Sequence, residues 1–339
     1  MNLKKYIAKR AGWAIVSLLG LSILIFYLAR ILPGDPVSMM VGPKVPDSVV
    51  QEIRHKLALD QPLYMQYFIW LRDVLSGDLG FSTYSQRSLS KDVVEYLPQS
   101  LELIAVAGFI QIVGAFLIGV AAGSNINKWQ DHLVRVFAYI GVSVPAFVLA
   151  VVFQLVFAMN LNLFPTSGAL SLGLSKPAGP TGFITIDSII RGDFGMTLNF
   201  LTHTILPATA LAIPGMAQVA RLIRSGMSDI KEKEYISMAR GYGFPERTVR
   251  FKYLLRPSII PAVTVLGMQI AMMLGNAFLV EMVFRWPGFS RFAIKALLRN
   301  DLNTIVAVVI IIGLLFAVIN LIVDVVTAYI DPRIRYRSS

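Results

Sequence analysis

Six stretches of this chain run without Lys, Arg, Asp or Glu for about the length a helix needs to cross a bilayer: 12–29, 103–123, 136–164, 196–220, 258–280 and 302–323. A bilayer's hydrocarbon layer is about 30 Å thick and takes roughly 20 apolar residues in helical form. Uncharged runs on that scale constrain the fold first, because lipid offers no partner to an unpaired backbone group and admits only helices and closed barrels. Composition agrees: 55% of the 339 residues are hydrophobic and 15% charged, against about a quarter charged in a soluble domain. The expected fold class is an all-α membrane protein with six transmembrane helices. The first run extends to Leu32 if Arg30 snorkels outward. The fourth holds His203, Pro207 and Pro214 and is expected to be a bent span.

The first run has the basic start of a signal peptide, in Lys4, Lys5, Lys9 and Arg10. It is too long in apolar residues, and no small-x-small cleavage site follows it. It reads as a retained anchor. With the N-terminus inside, the inner segments carry 18 Lys and Arg and the longer outer ones 12. Basic residues mark the cytoplasmic side, so both termini are expected there, although Arg285, Arg291, Lys295 and Arg299 run against the rule. The net charge of +11 sits between apolar runs and points to a membrane surface rather than nucleic acid. The absence of cysteine excludes disulfides, thiolate metal sites and cysteine nucleophiles.

Two polar segments are large enough to carry structure. Residues 33–100 form an outer segment with helical patterns over 47–59 and 61–75. Residues 221–257 form a basic inner loop. There, Asp229 with Glu232 resembles a capping box, and Met227, Ile230, Tyr235, Met238 and Tyr242 recur at roughly helical spacing. Gly241 and Gly243 end that helix. Pro245 opens a second one, which Pro257 stops. A helix pair lying on anionic lipid and a docking element for a soluble partner both fit this pattern.

The residues of this loop also resemble a known family. Ala239-Arg240-Gly241-Tyr242-Gly243-Phe244, after Glu234-Tyr235-Ile236 and before Leu254-Leu255-Arg256 and Pro261, is similar to the cytoplasmic motif of ABC-importer permeases, in the form found in dipeptide/oligopeptide/nickel-type permeases. Four further blocks match in order. These are Leu32-Pro33-Gly34-Asp35-Pro36 at the end of the first span, and Leu59-Asp60-Gln61-Pro62-Leu63 with Gln66-Tyr67 and Gly77-Asp78-Leu79-Gly80-Phe81-Ser82 in the outer segment. Phe284-Arg285-Trp286-Pro287-Gly288 follows the fifth span, and Asp331-Pro332-Arg333-Ile334-Arg335 forms the tail. The resemblance covers nearly the whole chain. Ser237 and Met238 depart from the general motif's glutamate and middle alanine, and Tyr253 and Pro257 stand where the branch commonly has His and Asn. Residues 169–195 look like an enlarged outer loop.

The resemblance implies a type I ABC-importer permease fold, with 1–32 as N-terminus and first helix and 33–100 as an extracytoplasmic segment. A five-helix core over 101–330 would hold the coupling loop 221–257, and 331–339 would be a cytoplasmic tail. It implies a prokaryotic inner-membrane permease, half of a translocation pathway for peptides. Its partners would be a second permease, two cytoplasmic ATPase subunits that bind ATP and Mg, and an extracytoplasmic binding protein. The chain itself would be no enzyme and hold no cofactor. It lacks the Gly-x4-Gly-Lys-Ser/Thr phosphate loop; the fragment Gly173-Leu174-Ser175-Lys176-Pro177 has the wrong spacing. Oligosaccharide, glutathione and nickel-chelate cargo are alternatives within the class.

Coupling requires a rigid lever joined to pore-forming spans, and the expected contact residues are Glu234, Tyr235, Met238, Ala239, Arg240 and Gly243. Tyr235, Met238 and Ala239 would enter an ATPase groove, and Arg240 alternatively meets a lipid phosphate. Of the intramembrane polar groups, Gln269 and Asn276, seven apart on one face of span five, are the expected pathway-lining pair. Asp324 is expected to pair with Arg333, and Glu281 with Arg285. His55, His132 and His203 are too scattered for a metal site. Charge is kept out of the central stretches, which argues against an ion-coupled secondary transporter. No clustered Ser/His/Asp group supports an intramembrane enzyme.

Overall fold

The structure, a computed structural model, describes residues 3–31, 46–56 and 59–330. The motif at 32–36, the tail motif at 331–335 and the expected partner Arg333 lie outside the described residues. The first span is α1 (Leu3–Ile31), followed by α2 (Asp47–Lys56) and α3 (Leu63–Leu75). A two-residue hairpin, β1 (Phe81–Ser82) with β2 (Arg87–Ser88), pairs antiparallel with Phe81 opposite Ser88. It leads into α4 (Leu89–Ser124), so the second helix begins inside the stretch read as outer segment.

The third span is two helices, α5 (Trp129–Ser143) and α6 (Ala146–Phe153), the latter continued by a π-helical stretch at Gln154–Asn160. After α7 (Ile184–Ile190) comes α8 (Phe194–Lys231), then α9 (Glu234–Gly241). A short α10 (Glu246–Thr248) passes through a π-helical stretch, Val249–Leu255, into α11 (Arg256–Val283). α12 (Phe289–Leu298) and α13 (Leu302–Ile330) complete the described chain. Among the described residues, five helices are long and apolar enough to span a membrane, and six spans result if α5 and the α6 segment count as one.

α8 is the centre of the bundle and packs on α4, α5, α6, α7 and α11. Its contact face is built from small side chains: Ala208, Ala210, Ala212, Ala217 and Ala220 are fully buried. Helices in lipid associate through such close approach, since lipid supplies no hydrophobic drive between them. The partner helices answer with glycine. A Cβ at Gly119 of α4 would lie 2.9 Å from Cβ of Ile223, and one at Gly141 of α5 would lie 2.7 Å from Cβ of Ala217. α1, by contrast, packs chiefly on α13 and lightly on α3, and much of its apolar surface stays exposed.

Three expectations are corrected. The third span is not one helix over 136–164. Pro145 pushes Val144 into extended backbone (φ −94°, ψ 121°), as proline does to the residue before it. The two halves meet at 106°. The span also starts earlier than its uncharged run, because Asp131 is buried inside α5 against Arg224 and Arg135. In the inner loop, Asp229 caps nothing, since α8 runs on to Lys231. Nor does Pro257 stop a second helix; the chain stays helical from Glu246 through the π-helical stretch to Val283. α8 itself carries Pro207 and Pro214 within one continuous helix.

The glycine contact between α5 and α8 gives a direct test. Gly141→Leu should overpack the interface and cost about 1–3 kcal/mol, read as a lower unfolding temperature in detergent. A Gly141→Leu protein as stable as the parent would show that α5 does not seat on Ala217.

Candidate functional site

α9 is a short helix set between the long helices α8 and α11, with the still shorter α10 after it. Glu234 in its first turn and Arg240 in its last match the helix dipole. The helix closes with paired bonds in which Gly243 N–H donates to Arg240 O (2.9 Å) and Phe244 N–H to Ala239 O (3.2 Å). This is a Schellman motif, and it needs a left-handed residue after the helix. Gly243 supplies it at φ +77°. Gly241, expected to share that duty, is an ordinary helical residue inside α9.

The side chains of α9 divide by face. Ile236 is fully buried and Ala239 is 6% exposed. Both pack into one cluster with Met227 at the end of α8 and with Val249, Leu254 and Leu255 leading into α11. Tyr235, Met238 and Tyr242 are 43%, 57% and 78% exposed. Their i, i+3, i+7 spacing aligns them in one outward stripe. Ala239 therefore faces its own chain, and its small size serves packing beneath α9 rather than contact with another protein. Arg240 pairs with Glu246 (Nε–Oε1 2.8 Å) across the turn, both side chains well exposed, a bond of at most about 1 kcal/mol. Phe244 lies against Tyr253 with ring centroids 5.8 Å apart. So α9 is clipped to the ends of α8 and α11 and moves with them.

The polar residues of the spans sort in the same way. Gln269 donates to Gln218 of α8 at 2.6 Å, a bond between helices. Asn276 is exposed, in a stripe on α11 with Met268, Met272 and Leu279. The two residues expected to share a role are thus separated by their contacts. Asp324 pairs with Arg10 of α1 (3.3 Å), which ties the first span to the last.

Glu281 makes no ion pair with Arg285 among the described residues. It is fully buried, accepts a hydrogen bond from Ser100 Oγ of α4 and receives the Arg291 N–H at 2.9 Å. Ser100 Oγ in turn accepts from Phe289 N–H (2.8 Å). The carboxylate and hydroxyl together cap α12, and a side chain at Gly288 would run into the carboxylate. The one-turn spacing of Glu281 and Arg285 misled because α11 ends at Val283 and Arg285 turns to φ +49°.

Sequence reading missed a set of carboxylates that do similar work at the end of the bundle away from α9. Glu102 caps α7 through Ile184 N–H (2.9 Å) and Thr185 N–H (2.7 Å). Asp301 accepts from Thr304 N–H at the start of α13 and from Ser82 Oγ and Tyr84 N–H of the hairpin. For Asp187, burial pushes the carboxyl up. Hydrogen bonds from Thr181 and Gly182 outweigh it and hold the group below its ordinary value. The available signal was an acidic residue directly before an uncharged run, as Glu102 and Asp301 stand. The three histidines are apart: His55 meets Asp60, His132 meets Arg135, and His203 bonds within α8.

The closure of α9 is testable by backbone conformation. Gly243→Val places a β-branched residue at positive φ, at a cost of about 1–3 kcal/mol, and should speed hydrogen exchange at the Phe244 amide. Gly243→Asn, tolerated in that conformation, should stay near the parent. Equal exchange in both variants would contradict the capping role.

Comparison with known proteins places this architecture. Residues 115–336 match the family described as the binding-protein-dependent transport system inner membrane component. Residues 3–102 match that system's N-terminal membrane component. A probable D,D-dipeptide transport system permease of Escherichia coli is 33% identical over 329 residues, 97% of each chain. A dipeptide transport system permease of Alkalihalophilus pseudofirmus is 32% identical over 98% of this chain and 99% of its own. A glutathione transport system permease of Salmonella typhimurium is 33% identical with the same coverage. With an all-helical bundle of apolar spans and matches along nearly its whole length, this chain belongs to the binding-protein-dependent transport system inner membrane components, the permeases of ABC importers.

Proposed function

We propose that this chain forms half of the membrane pathway of an ATP-driven peptide importer and that α9 is its contact with an ATPase subunit. The observation that carries the reading is the outward stripe of Tyr235, Met238 and Tyr242 on a helix whose other face, Ile236 and Ala239, is anchored to two spans. An apolar stripe held rigidly outside the membrane fits a groove in a soluble partner. Because α9 is fixed to α8 and α11, a push on it tilts both spans. Both termini lie on the same cytoplasmic side as α9, in line with the excess of basic residues there.

ATP and Mg belong to the partner subunits, since the sequence carries no phosphate loop of its own. A second permease completes the pathway, and an extracytoplasmic binding protein delivers cargo to the outer side. Asn276 supports a pathway along α11: an amide with no partner among the described residues is costly against lipid and well placed against water or a polar cargo. Methionines 268 and 272 beside it give a surface that adapts to varied side chains. Peptides are the favoured cargo because the relatives above are named for dipeptides and glutathione, itself a peptide.

The test is Met238→Glu in the assembled transporter. Stimulation of ATP hydrolysis by binding protein and peptide should fall at least about tenfold, the effect of burying an unpaired charge at a contact. Membrane insertion should be unchanged. Undiminished stimulation would remove α9 from the coupling path, and loss of the protein from the membrane would make Met238 a folding residue.

A further inference from the structure

A second site lies where α5 and α8 part at the α9 side of the membrane. A cleft of about 220 Å³ opens between them, lined by Arg135 and Tyr139 of α5 and by Arg221, Arg224 and Ser225 of α8. Asp131, fully buried at its edge, takes Arg224 at 2.8 and 2.9 Å and Arg135 at 3.0 Å. The charge of Asp229 also reaches Arg224. Asp131 thus holds Arg135 and Arg224, and Arg221 lines the same cleft. Arg221 is exposed and makes no ion pair among the described residues. In addition, Nε of Arg135 is buried and donates to nothing, which costs about 1–3 kcal/mol unless an acceptor arrives.

Arg221 and the unpaired Nε–H of Arg135 suit an anion with acceptor oxygens. The surroundings say where it comes from. Trp129 and Tyr139 are 67% exposed at the two ends of an outward strip of α5 that includes Leu133 and Val136, also exposed. Aromatic rings flanking an apolar strip are the pattern of a helix at the headgroup level of a bilayer. A ligand held by the arginines and lying along Leu133 and Val136 has a charged head and an apolar tail. Basic pockets between spans on the cytoplasmic side bind anionic headgroups.

We propose that the α5–α8 cleft holds the phosphate of an anionic phospholipid, with Arg221 and Arg135 as its principal donors and the acyl chains along Leu133 and Val136. The bound lipid clamps α5 to α8 at the root of the α9 lever. Only the choice of leaflet rests on the orientation proposed above.

The test is native mass spectrometry of the full-length protein from mild detergent, with phosphatidylglycerol or phosphatidylcholine added. The parent should retain phosphatidylglycerol preferentially. Arg221→Gln should lower that retention by about five- to tenfold, the worth of one arginine near a charged surface. Arg191→Gln, the same charge change in the outer loop, should not. The Asp131–Arg224 pair remains in both, and equal unfolding temperatures confirm that the fold survives. Retention equal in Arg221→Gln and Arg191→Gln, or no preference over phosphatidylcholine, overturns the site. Displacement of the lipid by inorganic phosphate alone would assign it to a soluble anion and overturn the lipid. The assay needs no transport, so failed coupling at α9 leaves it intact. In vesicles with the anionic lipid in one leaflet, the reverse orientation shows as binding from the other leaflet.

Discussion

The close contact of α8 with α4 and α5 is the interaction on which the rest of the molecule depends. It is made by glycines and alanines, so the helix axes approach until backbone meets side-chain carbon. Such an interface has no slack, because the small residues cannot rearrange to absorb a shift. α8 is about 57 Å long at 1.5 Å per residue, longer than the bilayer it crosses. α9 is clipped to its C-terminal end, and α7 leads into its N-terminal one. A displacement applied at α9 is delivered to the bundle by a rigid element, which is what a protein driven by an outside motor requires.

The end of the bundle away from α9 solves a different problem. Short helices such as α7 and α12 begin with N–H groups that have no partner within the helix. Glu102 and Glu281 supply fixed acceptors for the starts of α7 and α12 from a neighbouring helix, and Asp301 caps α13 from the residue just before it while also binding the hairpin. The carboxylates thereby join α4 to α7, α11 to α12, and the hairpin to α13. Their burial is costly in isolation and is offset by the several donors each one receives. The aromatic and proline-rich turn after α11 belongs to this arrangement: Trp286 donates to Gln99 O at 3.1 Å, and Gly288 makes room for Glu281.

Most of the span pattern was legible in the sequence because lipid imposes it one residue at a time. The end of α9 was legible too, through Gly243, whereas its start was read at Asp229 and falls at Glu234. What escaped was long-range. No local pattern announces that Asp131 meets Arg224, so the third span seemed to begin at 136. Periodicity alone did not separate Ala239 from Met238, since which face turns inward depends on where Val249 and Leu254 come to lie. Helical spacing paired Glu281 with Arg285 only on the assumption that the helix continued. Gln269 and Asn276 share a register but differ in having a partner on α8.

The central claim is that α9 meets its partner through Tyr235, Met238 and Tyr242 and holds to its own chain through Ile236 and Ala239. The absence of cysteine from the sequence makes single-cysteine crosslinking a direct measurement of that division. In the assembled transporter, Met238→Cys should crosslink to an ATPase subunit bearing a cysteine in its facing groove, and Ala239→Cys should not. Crosslinking at 239 without crosslinking at 238 would contradict the account by placing the opposite face of α9 at the contact.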